Sequence, residues 1–303
     1  VYHTEAEEGT RSRRLLYPRG KVLGGSSSIN GVLQVRGQHE DFDDWAAMGC
    51  RGWSWPEVLP YFKRAETYLP GDPALRGKSG PIIVSDIANH HPLTLDFVKA
   101  GQQLGLPFNP DYNGARQEGV GTYQQTRKGR LRMSTARGYL RPAMKRGNLR
   151  VETEAHVAGL IVQGNRVSGV RYRYNKLAER QIEDLQLSGI GAPEHLRSLG
   201  LPVRVALPGV GQNLHDHYVA RVVRNVRGRV TVNEQSRGWR LGVEVMRYLL
   251  KGDGILTYAA GNGVAFVRSE GHLSRPDIQL SFAPASFADG RLGVLADTPG
   301  MTC

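Results

Sequence analysis

The sequence predicts an α/β (α+β) protein, and three observations favour this class. The chain has 303 residues, enough to bury a substantial core in one large domain or two intertwined ones. Hydrophobic residues make up 40% of it, and 38 glycines with 16 prolines indicate a folded, loop-rich protein rather than a disordered one. Stretches with apolar residues at helical spacing occur together with short runs typical of strands.

Charge and cysteine content narrow the function. Lys and Arg outnumber Asp and Glu by 40 to 28, for a net charge of +12, but the cations are scattered, which favours a solvated surface over a nucleic-acid groove. An anionic lipid surface would also suit this charge, but no amphipathic basic helix is obvious, and no apolar run reaches the ~20 residues of a membrane span. Cys50 and Cys303 are the only cysteines, and His90 and His91 have no further ligands nearby, so neither a disulfide framework nor a metal site is predicted.

Residues 18–37, PRGKVLGGSSSINGVLQVRG, carry the strongest local signal. Gly24 and Gly25 remove two side chains in succession, so the backbone can turn sharply and approach a ligand closely. Three serines follow, and three apolar residues at helical spacing then predict a helix with one buried face: Ile29, Val32 and Leu33. The free N–H groups at the start of such a helix suit a phosphate or a polar ring, although a plain surface loop is the commoner structure for a glycine–serine run.

The full string resembles a known family signature. GKVLGGSSSIN, followed by VRG and then by Asp41, Phe42, Asp43 and Trp45, closely resembles the first signature of the glucose–methanol–choline (GMC) flavoprotein oxidoreductases, nearest to their choline dehydrogenase and alcohol dehydrogenase branch. Gln34 departs from the family, which usually has an aromatic residue or alanine there. Two further blocks follow in the family's order: NPDYNG, EGVG and STARGYL within residues 109–140, and LSGIG through VGQNLHDH within residues 187–217.

Several helices are predicted downstream of this signature. Ser54 begins one with a capping box completed by Glu57, and its apolar face carries Val58, Leu59, Phe62 and Ala65. Residues 92–104 form a second, through Leu95, Val98, Ala100 and Leu104, while residues 134–144 and 192–200 form two more. The last, ended by Gly252, is expected to place four residues on its inner face: Leu241, Val245, Tyr248 and Leu249.

Strands are predicted mainly in the second half of the chain. Their expected ranges are 81–84, 149–151, 157–162, 167–174 and 276–282, with a tight turn at Gly164 and Asn165. Residues 109–121 are interpreted as a run of turns without a core of its own. Residues 175–187 lack the continuous apolar strand that the family carries before LSGIG, so we expect a missing central strand and a poorly cooperative chain that binds its cofactor weakly or not at all.

The resemblance also implies a fold, a cofactor and site residues. It implies part of a Rossmann-like FAD-binding domain, residues 1–85 and 137–225, interleaved with part of an antiparallel-sheet substrate domain, residues 86–136 and 226–303. The implied cofactor is FAD, contacted by the glycine stretch and by the backbone of a later valine: Val22, Gly24, Gly25, Ser26, Asn30, Gly31, Val32, Leu33 and Val157. Near the flavin, three residues of the NLHDH turn are expected to be structural hydrogen-bonding groups: Asn213, Asp216 and His217.

The activity that the resemblance implies is oxidation of a primary alcohol, choline-like or other, by hydride transfer to the flavin. The expected partner is a small-molecule alcohol, with the electron acceptor open, no nucleic acid and no transmembrane segment, and the expected localisation is cytoplasmic or peripheral to the inner membrane. Neither the family's G-x-G-x-x-G fingerprint nor its catalytic histidine has a match here, so we expect a fragment lacking both ends, without a catalytic residue and inactive alone. The alternatives are a non-catalytic product of an interrupted gene and a basic nucleic-acid-binding protein.

Overall fold

The computed structural model describes residues 2–6, 8–164, 166–174, 188–288 and 293–303. By its internal contacts the chain divides into two compact units: unit 1, Val1–Arg146 with Arg221–Cys303, and unit 2, Gly147–Ala220. The strand predicted to be missing at residues 175–187 lies outside the described residues, as does Asn165 of the predicted turn. Among the described residues, no helix combines the length and apolar character needed to cross a bilayer.

Helices and strands are mixed along the chain. The α-helices are α1 His39–Ala47, α2 Trp55–Ala65, α3 Pro92–Gln103, α4 Arg141–Ala143, α5 Pro193–Ser198, α6 Val232–Gln235 and α7 Gly238–Lys251. Short 3-10 turns occupy Glu8–Thr10, Gly25–Ser28 and Ile255–Thr257, and a π-helical turn, Ala136–Leu140, leads into α4.

The strands are mostly short. They are β1 Tyr2–His3, β2 Leu16–Tyr17, β3 Glu66–Thr67, β4 Ile82–Ile83, β5 Ser85–Asp86, β6 Gly119–Thr122, β7 Gln124–Gln125, β8 Arg127–Lys128, β9 Leu131–Arg132, β10 Ala155–Gln163, β11 Arg166–Tyr174, β12 Ile190–Gly191, β13 Val205–Ala206, β14 Val223–Asn225, β15 Gly263–Val267, β16 Ile278–Phe282 and β17 Gly300–Thr302. In unit 2, β10 and β11 form a long antiparallel pair, and β12 pairs with β13 in parallel.

The core of unit 1 is built around β15, the middle strand of an antiparallel sheet in the order β16-β15-β6. Its side chains alternate between two faces. Val264 and Phe266 pack with Tyr112 and Tyr123 on one face, while Ala265 packs with Val98 and Val120 on the other. A separate aromatic cluster, Phe42, Trp55 and Val58, joins α1 to α2.

Local sequence signals predict several of the helices, whereas the helix predicted over residues 134–144 is the π-helical turn followed by α4. The capping box between Ser54 and Glu57 is present, with Ser54 N–H donating to Glu57 Oε2 at 3.1 Å, and Val58 lies in the core as expected. The predicted helices over residues 92–104 and 192–200 correspond to α3 and α5. The predicted helix ended by Gly252 corresponds to α7, and Gly252 has a φ of 70°. The predicted strands 81–84, 157–162, 167–174 and 276–282 correspond to β4, β10, β11 and β16.

Three predictions that depend on tertiary packing are wrong. Residues 109–121 do have a core: β6 lies within the sheet, and Tyr112 and Val120 are buried. The strand expected at residues 149–151 does not form. The inner face of α7 also differs, because Val245 and Leu249 are exposed.

Candidate functional site

Residues 20–33, which we call the glycine loop, turn on Gly24 and Gly25. The φ angles of these residues are 92° and 55°, in the left-handed region that glycine adopts without steric cost. Gly25 N–H donates to the Val22 carbonyl at 2.8 Å and closes the turn. A Cβ on Gly20 would collide with the Gly25 carbonyl, whereas a Cβ on Gly25 would meet nothing within 4 Å. The loop is therefore closed on the Gly20 side and open at Gly25.

The helix predicted after this turn does not form. Only the four-residue 3-10 turn Gly25–Ser28 is present, Ile29 is exposed, and Val32 has a φ of 56° that an α-helix cannot contain. Leu33 instead forms a bridge with Gln125 and packs against the core of unit 1. Three apolar residues at helical spacing do not distinguish a helix from a loop that contacts the core through one of them, here Leu33. The chain thus offers no anion site at a helix start in this segment.

The serine hydroxyls bind the loop itself instead of capping a helix. Ser27 Oγ–H donates to the Gly24 carbonyl at 2.5 Å, and Thr135 N–H donates to Ser27 Oγ at 2.9 Å. Thr135 Oγ1–H also donates to the Gly24 carbonyl, at 3.0 Å. A Cβ on Gly24 would lie 2.5 Å from Ser28 Oγ and 3.0 Å from the Cβ of Ala136, so the absence of a side chain lets the loop pack on the π-helical turn.

Arg132, at the end of β9, holds the second half of the loop. Its Nη1 donates to the carbonyl and to the side-chain oxygen of Asn30, both at 2.7 Å. The same Asn30 Oδ1 accepts from Val32 N–H at 3.1 Å, and the Val32 carbonyl accepts from Thr126 N–H at 2.9 Å. These bonds position Asn30, Gly31 and Val32, which the sequence predicts as cofactor contacts.

Beyond the loop, Arg36 enters a set of four buried or half-buried charges that we call the buried charge cluster: Arg36, Glu66, Arg76 and Asp111. Glu66 contacts both guanidinium groups, with Arg76 Nε at 2.8 Å from Oε1, and Arg76 also contacts Asp111. Burial lowers the pKa of Arg36. Burial also opposes the charge on Arg76, but the hydrogen bond and charge of Glu66, with the charge of Asp111, raise its pKa. The charges of the two cations and the two carboxylates balance. Because Arg36 follows the glycine loop closely in sequence, the buried charge cluster connects the end of that loop to distant parts of unit 1.

Two buried amides near the loop have no hydrogen-bond partner within the described residues: Gln125 Nε2 and Asn262 Nδ2. Gln125 forms the bridge with Leu33, and the Asn262 carbonyl accepts from Tyr123 N–H at 3.0 Å, two positions before Gln125. A Cβ on Gly31 would lie 3.1 Å from the Cβ of Ala260, so the loop also approaches the segment before Asn262. An unpaired buried amide costs about 1–3 kcal/mol, and a ligand with acceptor atoms would remove that cost.

The structure brings eight of the nine predicted cofactor contacts together in this one loop. The ninth, Val157, lies in unit 2 on β10, where it pairs with Tyr172, and its role stays a prediction. The NLHDH turn, also in unit 2, is exposed, and His217 N–H donates to Asp216 Oδ1 at 2.7 Å.

No group of three metal-ligating side chains occurs in the part of the chain that the structure describes. Buried His91 Nδ1 accepts from Leu93 N–H at 3.2 Å and so caps α3.

Sequence reasoning missed the residues that hold the loop in place. The STAR motif was interpreted only as a helix start, although its Thr135 binds the loop carbonyl. Arg132 is not singled out by any motif, because its partner Asn30 lies far away in the sequence. Gln125 and Asn262 carry no local signal, because an unpaired amide can be recognised only once its surroundings are known.

The comparisons with known proteins agree with this arrangement. The sequence profile of the GMC oxidoreductase family matches residues 8–219. Human mitochondrial choline dehydrogenase is 37% identical over 305 residues, covering 95% of this chain and 51% of that protein. Oxygen-dependent choline dehydrogenase of Brucella melitensis is 38% identical over 309 residues, covering 96% of this chain and 56% of that protein.

A solved FAD-dependent oxidoreductase from Chaetomium thermophilum superposes with a TM-score of 0.76 at 26% identity, covering 88% of this chain and 52% of that one. The predicted α/β class is therefore confirmed. The chain spans about half the length of the curated relatives it matches. The signatures around the glycine loop, the family profile and this shared fold agree: the chain belongs to the GMC oxidoreductase family.

Proposed function

We propose that this chain is part of an FAD-dependent enzyme that oxidises a primary alcohol by hydride transfer to the flavin, with the glycine loop as a cofactor contact. The observation that carries the proposal is Gly25, which has a left-handed backbone and open space where a side chain would project. The printed names of the relatives support the chemistry, since two are choline dehydrogenases and one is an FAD-dependent oxidoreductase.

The residues present fit a flat, acceptor-rich cofactor. The loop backbone around Gly24 and Gly25 is half-buried and carries no side chain, so a ligand can approach it closely. The unpaired amides of Gln125 and Asn262 provide donors, which suit the carbonyl oxygens of a flavin ring or a substrate hydroxyl oxygen. FAD held there would accept the hydride from the hydroxyl-bearing carbon of the alcohol.

This chain's own residues would supply binding and orientation. Ser27, Thr135 and Arg132 hold the loop so that Asn30 to Leu33 keep one conformation, which removes an ordering cost from ligand binding. We assign no catalytic base to the described residues. The four-part division into FAD-binding and substrate segments, the contact of Val157, and a cytoplasmic or membrane-peripheral location belong to the same proposal.

The test compares two glycines that share a left-handed backbone and open space for a side chain. Gly25 has a φ of 55° and Gly238, at the start of α7, a φ of 54°, and a Cβ at either would meet nothing within 4 Å. Because the backbone strain of a valine is alike at both, about 1–2 kcal/mol, a difference in flavin content reports on the ligand.

Each valine is introduced into a chimaera in which this chain replaces the matched part of the Brucella melitensis choline dehydrogenase. We expect Gly25→Val to purify with little flavin absorbance and Gly238→Val to retain it, at similar thermal stability of the flavin-free proteins. Equal flavin content in the two variants would contradict the proposal.

A further inference from the structure

Helix α7, Gly238–Lys251, turns its apolar side away from the core of unit 1. Its one buried residue is Glu244, and Leu241 and Tyr248 on the same side are half-buried. Trp239 and Leu250, on the opposite side, are each 76% exposed. Together with four other exposed residues they form what we call the outer apolar face: Trp239, Val243, Val245, Met246, Leu249 and Leu250. This is the reverse of an ordinary surface helix, in which the apolar stripe faces the core.

Polar contacts fix this orientation. Glu244 Oε2 accepts from Ile255 N–H at 3.0 Å, and a Cβ on Gly254 would collide with the same oxygen. Arg247, one turn along, donates to Asp253 Oδ1 at 2.6 Å. Rotating α7 about its axis to bury its apolar side would break these contacts, so the polar contacts keep the outer apolar face exposed.

Cations lie beside this face. Within α7 the only acidic residue is the buried Glu244, while Arg240, Arg247 and Lys251 are basic; Arg240 pairs with Glu234 and Arg247 with Asp253. The hairpin of β8 and β9, residues 127–132, packs at the end of the helix, since Arg130 Nη1 donates to the Leu249 carbonyl at 3.1 Å. In that hairpin Lys128 and Arg130 are exposed, whereas Arg127 and Arg132 are half-buried and donate to the carbonyls of Thr257 and Asn30. For Lys128, Arg130 and Lys251, the described part of the chain provides no carboxylate within ion-pair distance.

We propose that the outer apolar face of α7, with Lys251 and the exposed Lys128 and Arg130 of the adjacent hairpin, forms a docking surface for an anionic phospholipid bilayer, with the helix lying in the plane of the interface. An apolar helix face with tryptophan, flanked by lysine and arginine, is the arrangement by which amphipathic helices bind such surfaces. A second copy of the chain would bring two cationic hairpins together, which like-charge repulsion opposes. A nucleic acid would use the cations and leave the apolar face in water. The proposal rests on the membrane-peripheral location proposed above, but not on the cofactor, whose test is the separate measurement of flavin content.

The first experiment measures sedimentation of the 303-residue chain with vesicles of phosphatidylcholine containing 30% phosphatidylglycerol, and with vesicles of phosphatidylcholine alone. We expect binding to the anionic vesicles only, weakened at high salt because the charges are screened. The double variant Met246→Gln with Leu250→Gln should lower the partition coefficient at least about tenfold. The matched control, Met48→Gln with Leu104→Gln, removes a methionine and a leucine that are 74% and 84% exposed elsewhere. It should stay within about twofold of the unmodified chain.

The second experiment uses the four tryptophans as depth probes. Quenching by brominated phosphatidylcholine in the anionic vesicles should disappear in Trp239→Phe and persist in Trp53→Phe, whose tryptophan is also exposed but lies outside α7. Far-UV circular dichroism of each variant checks that it folds like the unmodified chain.

Four outcomes would each overturn the proposal. The first is an equal loss of vesicle binding in the two double variants, which would show adhesion of any apolar surface. The second is quenching that survives Trp239→Phe. The third is concentration-dependent self-association without lipid that Met246→Gln with Leu250→Gln abolishes, which assigns the face to a second copy. The last is protection of Trp239 from acrylamide in the lipid-free chimaera, which assigns the face to the rest of a longer protein.

Discussion

Replacing Glu66 by glutamine tests the buried charge cluster most directly. Glu66 is buried between Arg36 and Arg76 and also accepts from Gly77 N–H at 3.1 Å. The substitution keeps the shape of the side chain and removes its charge, so two buried guanidinium groups would be left with one carboxylate, Asp111. Removing one partner of a buried ion pair costs about 3–5 kcal/mol. The net stability of a domain is only about 5–15 kcal/mol, so the variant should lose roughly a fifth or more of it.

The assay is urea unfolding of the 303-residue chain, followed by circular dichroism. Glu118→Gln is the control, because its pair with Arg268 spans 3.0 Å at the surface and is worth at most about 1 kcal/mol. The double variant Glu66→Gln with Arg36→Gln restores the charge balance and should recover part of the loss. If Glu66→Gln and Glu118→Gln shift the free energy of unfolding equally, the cluster does not stabilise unit 1 as we argue.

Three further predictions concern pH, the unpaired amide and a helix cap. Burial lowers the pKa of His91, so the unfolded chain binds a proton near pH 6.5 that the folded chain does not. The free energy of unfolding should therefore be retained above this pH and fall below it by up to about 1.4 kcal/mol per pH unit. His91→Asn keeps the cap on α3 and should flatten this fall in urea titrations. Asn262→Leu should raise the free energy of unfolding of the flavin-free chain by about 1 kcal/mol because a buried unpaired donor is lost, yet weaken flavin binding in the chimaera; stronger flavin binding would argue against its role. Ser54→Ala should cost about 1 kcal/mol through loss of the cap on α2, and an unchanged urea midpoint would show that this capping box is not stabilising.

Helix ends that are set by residues within one turn could be predicted from the sequence. The start of α2 follows from Ser54 and Glu57, three residues apart, and the end of α7 from Gly252, because both signals act within one helical turn. Strand β6 was missed because its glycines resemble turn residues, and only its pairing with β15, far along the chain, makes it a strand. The inner side of α7 was not predicted, because Glu244 is buried where it accepts a hydrogen bond from Ile255 N–H. The sequence pattern does not reveal this hydrogen bond.

The candidate site divides in the same way. The left-handed turn at Gly24 and Gly25 was predicted because glycine is the residue that adopts it freely, and the resemblance supplied the remaining loop residues. The groups that hold the loop come from distant positions, such as Thr135 and Arg132, so their contribution required coordinates. For the predicted contacts themselves, the flavin content of the Gly25 and Gly238 variants is the deciding measurement.

The pairing of β6 with β15 also has a consequence for synthesis of the chain. Val120 lies opposite Ala265, so the ribosome must add roughly 145 residues after making one strand before its partner exists. At about 5–20 residues per second, that interval is about 7–30 s. Val120, which is fully buried in the finished fold, stays without its partner strand throughout. We therefore expect the nascent chain to depend on chaperones during this interval, so expression in chaperone-depleted cells should reduce its soluble yield.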